Sequence, residues 1–355
     1  MGKQKTIRDV AQLAGVSVAT ASRVLSDSNY PVRAQLKQRV REAAEKLEYT
    51  PNAVAQALRS EISRDVALII PNLSNPFYLQ AVLGAGETLD PDGYSMRFCN
   101  TMHETAREQD FIRRLYEQQV RGVILSSVDA ENANLVNKYM KKGMHFVMLD
   151  QILPGVEAPG IHYDSKAGAQ MAMEYLLQLG HKKIAFATTP LVRMTRKEIY
   201  AGYRDSLLSA GITPDPALLY ERSIDKAGRG SDYELNLGRQ IACEFVEQGC
   251  PATAFLCIND MVAIGLIQSL CEKGIRVPED VSVIGFDDIP LAGAYLPALT
   301  TVHYPAQEMG RLAALMLLDS MRSPETSMSV TMRLSPKLMV RDSAAAPANN
   351  ELAQK

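Results

Sequence analysis

The chain has 355 residues, 46% hydrophobic and 22% charged, with a formal net charge of −2. That length allows about two or three domains, the balance is ordinary for a soluble globular protein, and no apolar run reaches the ~18 residues of a membrane span. Five cysteines (Cys99, Cys243, Cys250, Cys257, Cys271) form no CxxC pair and five scattered histidines complete no ligand spacing, so free thiols, no metal and no cofactor are expected.

The charge is unevenly placed. Residues 1–60 hold ten Lys/Arg against five Asp/Glu, a balance of +5, and the remainder carries −7. A basic head on an acidic body points to a polyanion partner for the head alone. The N-terminus lacks the apolar core of a secretory signal, so the expected compartment is the cytoplasm, with no membrane partner.

In chain order, Ile7, Val10, Ala11 and Ala14 recur at i, i+3, i+4 and i+7, one apolar helical face. Thr6 caps that helix, and Asp9 suits the positive end of its dipole. Gly15 tolerates the positive φ of a tight turn and Val16 tucks inward. Ser17 then caps a second helix, Val18 to about Leu25, which buries Ala21, Val24 and Leu25. Small Ala11 and Ala21 allow the two helices a close, steep crossing. This is a helix-turn-helix pattern, and it leaves Val18, Ala19, Ser22 and Arg23 on the face that enters a DNA major groove. Arginine reads guanine through O6 and N7, while Val18 and Ala19 suit thymine methyls. The plain alternative is a solvated hairpin with Arg23 merely at the surface. A third helix shows Leu36, Val40, Ala43 or Ala44, and Leu47 on one face before Tyr49-Thr50-Pro51 stops it. Pro51–Ser60 has room for about two helical turns, too short to hold alone in water.

The stretch TIRDVAQLAGVSVATASRVLS, its spacing to YTPNAVAQALRS and the body that follows resemble the lactose-repressor (LacI/GalR) family from Thr6 to about Asp342. The resemblance implies base-reading roles for Val18, Ala19 and Arg23 and phosphate contacts from Thr6, Ser17 and Ser22. It also implies a hinge helix with Asn52, Ala55 and Leu58, Leu58 being the apolar wedge that kinks the minor groove.

Beyond Arg64, apolar runs alternate with segments of helical length, which argues for parallel α/β sheets. The runs are Val66–Ile70, Ser95–Cys99, Gly122–Leu125, His145–Leu149, Lys183–Ala187, Ala254–Ile258 and Val281–Phe286. The helical segments include Pro76–Leu89, Glu104–Gln118, Lys166–Leu179 and Asp260–Glu272. Two blocks of similar grammar give two lobes; by the resemblance the chain crosses between them three times, as in periplasmic binding proteins. The expected fold is an all-α helix-turn-helix headpiece plus an α/β two-lobed periplasmic-binding-protein-like body with parallel sheets. Its divisions are 1–50 for the DNA-binding domain, 51–64 for hinge helix and linker, and 65–342 for the effector-binding and dimerisation domain. Within the last, lobe 1 covers about 65–163 and 303–327 and lobe 2 about 164–302 and 328–342. A disordered tail is expected at 343–355.

Enzyme signatures are missing where they belong. Val66–Ile70 leads into Pro71-Asn72-Leu73-Ser74-Asn75-Pro76 rather than GxGxxG, and neither GxxxxGK[ST] nor GxSxG occurs. No catalytic residue is assigned. Strand ends instead carry Asn72, Ser126, Asp150, Asn259 with Asp260, and Asp287 with Asp288, and ligands of open α/β sheets bind beyond such ends. Amides and carboxylates there suit sugar hydroxyls, with Phe77 and Tyr78 able to stack on an apolar face. Strand-end Asp and Asn also cap helices, the part assigned to Asp260 and Asp288. The resemblance aligns Asp150, Asn259 and Asp287 with effector contacts. It also exposes a departure: where family members often place a ligand-gripping arginine, this chain has Ile199, before Gly202-Tyr203. Arg196 or Lys197, one turn earlier, could reach in to take its place, although solvated surface charge is the expected state. Asp225–Tyr233 is expected to loop over the cleft, with Tyr233 as an aromatic lid.

The sequence thus reads as a homodimeric, DNA-binding transcriptional regulator, a repressor of a palindromic operator controlled by a small sugar or sugar derivative between two lobes. Ser343–Lys355 has a single Leu and a Pro, so no heptad seam can join two dimers. The alternatives are a solute-binding protein with no DNA role and a corepressor-activated regulator of a non-sugar pathway.

Overall fold

The computed structural model describes residues 5–25, 32–49, 64–223, 232–323 and 329–348. They fall into two units that part between Ser63 and Arg64. Asn52, Ala55 and Leu58 of the expected hinge helix, and most of the loop expected over the cleft, lie outside the described residues.

The first unit holds α1 (Ile7–Ala14), α2 (Val18–Leu25) and α3 (Ala34–Lys46). The Thr6 N–H and hydroxyl both donate to the Asp9 carboxylate, at 2.7 and 2.8 Å. Gly15 closes α1 in the left-handed region at φ 63. Ser17 Oγ accepts from the Thr20 N–H at 3.1 Å, the N-cap of α2. Val10, Ala11, Ala14, Ala21, Val24, Val40, Ala43 and Ala44 form the core, while Leu25 is only half-buried against it. Arg39 donates to the Ala14 carbonyl at 2.6 Å and so satisfies an acceptor that α1 leaves open at its end.

The second unit runs β1 (Asp65–Ile70), α4 (Pro76–Leu89), β2 (Ser95–Asn100), α5 (Thr105–Glu117), β3 (Gly122–Leu125), α6 (Ala133–Met140), β4 (His145–Leu149) and β5 (Gly160–Tyr163). Next come α7 (Ser165–Gln178), β6 (Ile184–Thr188), α8 (Met194–Ser209), β7 (Leu219–Glu221), α9 (Tyr233–Glu247) and β8 (Ala254–Cys257). Then follow α10 (Asp260–Glu272), β9 (Ser282–Asp287), α11 (Pro290–Ala294) and β10 (Thr300–His303). The chain returns through α12 (Ala306–Arg322), β11 (Thr331–Leu334) and β12 (Lys337–Met339). Two six-stranded sheets result, ordered β11-β5-β4-β3-β1-β2 and β12-β10-β9-β8-β6-β7. Every pairing is parallel except that of β10 with β12. Runs such as Val66–Ile70 are buried at every position, as strands covered on both faces must be.

The chain crosses between the sheets after Tyr163, at Tyr304-Pro305 and between Leu334 and Lys337. The second segment of lobe 1 therefore extends to Leu334 rather than to residue 327. The reason is register: Thr331–Leu334 pairs in parallel with Gly160–Tyr163 at the edge of the first sheet. At two of the crossings the rings of Tyr163 and Tyr304 stack face to face, 3.9 Å apart and 6° from parallel.

The start of the expected disordered tail is instead built into lobe 2. Ser343 is fully buried, its Oγ accepting from Thr300 N at 2.8 Å and donating to the Val283 carbonyl at 2.6 Å. The Ala345 carbonyl receives Ser282 Oγ at 3.0 Å and lies 2.8 Å from His181 Nε2. Small side chains here let the backbone lie close to the starts of β9 and β10.

Candidate effector cleft and DNA-reading face

The outer face of α2 carries exposed Val18, Ala19 and Arg23 and half-buried Ser22, while Ala21 and Val24 point into the core. Thr6 and Ser17 are exposed as well, although their hydroxyls already serve helix starts.

In the body, polar chemistry gathers where helices begin beyond strand ends. Asn75 caps α4, its Oδ1 accepting from Phe77 N at 3.0 Å. Asn259 caps α10, accepting from Val262 N at 2.9 Å, and its Nδ2 donates to Glu234 Oε1 at 2.8 Å. The start of α8 is different: Arg193 stands at its N-cap, and no side chain caps it.

Arg193 spans the cleft. From lobe 2 its guanidinium donates to Tyr78 Oη at 2.9 Å, Ser126 Oγ at 3.0 Å and Asp150 Oδ2 at 2.9 Å, all on lobe 1. Only 5% of Arg193 and 9% of Asp150 is exposed, so these bonds replace the water both charges gave up. Burial pushes the Tyr78 hydroxyl up to about 12 against the pull of Arg193, which keeps it a neutral phenol. Burial also pushes the carboxyls of Glu234 and Asp287 above the usual range; Arg196 opposes this for Glu234, whereas Asp260, Glu234 and Asp150 reinforce it for Asp287.

These groups bound a small, partly open cavity of ≈ 50 Å³, room for one or two waters at ~30 Å³ each. A wider groove of ≈ 460 Å³ shares Phe77, Asp287 and Tyr304 with it. The rest of the groove wall is largely surface side chains of α4 and α12, so the chemistry belongs to the smaller space with its buried charges.

Of the residues singled out in the sequence, Phe77, Tyr78, Asp150, Asn259 and Asp287 meet at this cavity. Ser126 stands behind it, joined through Arg193. Asn72 and Tyr233 do not line it. Asn72 Oδ1 accepts from Ser74 N at 3.0 Å and shapes the turn after β1. Tyr233 is the first residue of α9, its ring 5.2 Å from that of His103 on the other lobe, a contact beside the cavity. Neither Asp260 nor Asp288 caps a helix. Asp260 accepts from Ile289 N at 2.9 Å and Thr301 Oγ1 at 2.5 Å, and Asp288 holds His303 at 2.8 Å and Arg341 at 2.6 Å.

Sequence reasoning missed Arg193, Asn75 and Glu234; of its two alternatives for Arg196 it favoured solvent, but the structure leaves that side chain only 9% exposed and at the cavity. The available signal was position: Arg193 occupies an N-cap site where Ser, Thr, Asp or Asn is the rule. Ile199, at the position of the missing arginine, lines the same cavity. Lys197, its neighbour, is exposed as expected.

A helix-turn-helix unit followed by a two-lobed α/β body with a polar cleft between its lobes defines a DNA-binding regulator of the ligand-responsive class. Residues 6–52 match the model for bacterial regulatory proteins of the lacI family, and residues 173–344 that for a periplasmic binding protein-like domain. The HTH-type transcriptional repressor PurR of Vibrio atlanticus (strain LGP32) is 32% identical over 338 residues, 95% of this chain and 97% of that one. PurR of Vibrio cholerae serotype O1 (strain M66-2) is 31% identical over 339 residues, again 95% and 97%. Among solved structures, the lac repressor dimer bound to operator and the anti-inducer ONPF superposes with a TM-score of 0.80 at 26% identity, covering 97% of this chain and 100% of that one. The complex of the transcriptional regulator CelR with cellobiose gives 0.69 at 28% identity, covering 96% and 100%. The chain belongs to the lacI family of bacterial regulatory proteins, and it is a DNA-binding transcriptional regulator. These relatives are repressors, not enzymes. No helix among the described residues is long and apolar enough to cross a membrane.

Proposed function

We propose that the protein acts in the cytoplasm as a homodimeric repressor whose grip on a palindromic operator is set by a small effector in the interlobe cleft. The observation that carries the reading is the Arg193 bridge, which ties lobe 2 to Tyr78, Ser126 and Asp150 of lobe 1 at the place a ligand would occupy. A molecule that competes for those partners changes the lobe arrangement by its differential affinity for the two states. Phe77, Tyr78, Asp150, Asn259 and Asp287 are the contacts assigned to the effector, with Arg193 added from the structure. Similar proteins solved with cellobiose and with ribose support a sugar or sugar derivative. The lac repressor dimer on its operator supports two copies reading two half-sites at fixed spacing.

The test is selection of a binding site from random duplex DNA with the full chain, followed by gel shifts with and without sugars. Thr6, Ser17 and Ser22 are assigned to phosphates and Val18, Ala19 and Arg23 to bases. Arg23→Ala should relax preference at one base position per half-site, costing about 1–3 kcal/mol there. Uniform weakening across a base-substitution panel would make Arg23 a phosphate contact instead.

A further inference from the structure

The charges around the cavity do not pair off. Arg193 has its carboxylate in Asp150, but Arg196, nine-tenths buried on the same wall, makes no ion pair or hydrogen bond with any described residue. Its strongest favourable neighbour is Glu234, whose own Oε1 is taken by Asn259 and whose Oε2 is buried with no partner. Arg193 adds like-charge repulsion, and its Nε is also buried without a partner. A guanidinium held in this way costs the fold stability, because it has lost most of its water and gained no bonded counter-charge.

The helix beneath it points the same way. Among the helices that begin at this cavity, α4 and α10 have their first N–H groups answered by Asn75 and Asn259, and α9 carries Glu234 in its first turn. The 16-residue α8 has no side-chain cap and no acidic residue in its first turn. Its open N–H groups and positive dipole end therefore face the same space as Arg193, Thr195 and Arg196, an arrangement that receives an anion. The other acids present, Glu234 and Asp287, are pushed toward their neutral forms by burial, and as neutral acids they can donate to ligand oxygens.

We infer that the effector carries an acidic group, a carboxylate or a phosphate, which Arg196 and the uncapped start of α8 receive. This rests on the regulator reading above and narrows its ligand class from sugars to acidic sugars. In the ≈ 50 Å³ cavity there is no room for a pyranose, so the lobes part to admit it and Arg193 exchanges some of its lobe 1 partners for ligand oxygens.

The test uses the full chain in thermal melts and calorimetry with matched probes. These are D-glucose and D-galactose, their uronic acids, D-gluconate, and glucose 6-phosphate. At least one acid should raise the melting temperature while its neutral parent does not; whether uronates or the phosphate do so tells carboxylate from phosphate. Arg196→Met should weaken that acid about ten- to a hundredfold, and Arg196→Lys should keep part of the affinity. Without ligand, Arg196→Met should melt no lower than the parent, which a merely structural arginine would not allow. Neutral sugars working as well as their acids, no acid working at all, or unchanged binding by Arg196→Met overturns the inference. A gel shift with the same ligand-free preparation and the selected operator separates that failure from failure of the regulator reading.

Discussion

Lobe 1 packs α4 on α12 through glycines: a Cβ at Gly84 would come within 1.9 Å of the Gln307 carbonyl, and one at Gly310 within 1.9 Å of that of Ala81. Lobe 2 packs α9 on α10 by the same device, with Gly238 and Gly265 leaving 2.1 and 2.0 Å to the carbonyls of Val262 and Leu235. The backbones of the two lobes thus solve one packing problem in one way. Their cleft walls do not match. Lobe 1 offers Tyr78, Ser126 and Asp150, two hydroxyls and one carboxylate, while lobe 2 offers Arg193, Arg196 and Glu234. Similar scaffolds facing each other with dissimilar chemistry make a site that closes by attraction across the gap.

The strongest way to break this comparison is to remove the bridge. Arg193→Met should cost about 3–5 kcal/mol, because Asp150 is left buried without its partner. The double variant with Asp150→Asn should recover a large part of that loss. Urea unfolding of the full chain measures both; additive losses would show that the lobes are not coupled through this pair. Next in size are the glycines. Gly84→Ala in lobe 1 and Gly265→Ala in lobe 2 should each cost about 1–3 kcal/mol or more, since backbone carbonyls cannot move aside as a flexible side chain would. A loss in one lobe only would end the claim that they share a packing solution.

The lobes also differ in their buried acids. Glu108 of lobe 1 accepts from Ser127 Oγ, Val128 N and Asn132 Nδ2, three donors that oppose the effect of burial. Asp260 of lobe 2 has two donors and is pushed up to about 8, first by burial and then by Asp288. Its folded pKa lies above the unfolded value of about 3.9, so the folded state holds the proton longer. That contribution is complete below about pH 4 and is lost as pH rises toward 8. Asp260→Asn should therefore flatten the fall in melting temperature across that window. An unchanged slope would place the titration elsewhere.

Much of this layout was legible in the sequence, for identifiable reasons. Thr6, Gly15 and Ser17 sit where helix ends demand them, and Pro76–Leu89 and Asp260–Glu272 emerge with their expected limits. Strands such as Val66–Ile70 are long enough to show as apolar runs. The strands at 160–163, 219–221, 331–334 and 337–339 have only three or four residues and half-polar patterns, too little for a period to register. The cleft was half legible. Carboxylates and amides at strand ends announce themselves as candidates, and the family resemblance picked Asp150, Asn259 and Asp287 from among them. Arg193 and Arg196 were hidden because a charge in a polar run such as VRMTRKE reads as surface, and the groups that surround it, on the facing lobe and on α9, are distant in sequence.

The stacked rings of Tyr163 and Tyr304 lie on two of the crossing segments, so rotation of one lobe against the other changes their overlap. The chain has 14 tyrosines and no tryptophan. Its near-ultraviolet spectrum beyond the bands of the 8 phenylalanines is therefore written by phenol rings, and a parallel pair at van der Waals distance couples electronically in a way that depends on its angle. The protein thus carries an optical gauge of its own hinge, readable by circular dichroism without any attached label.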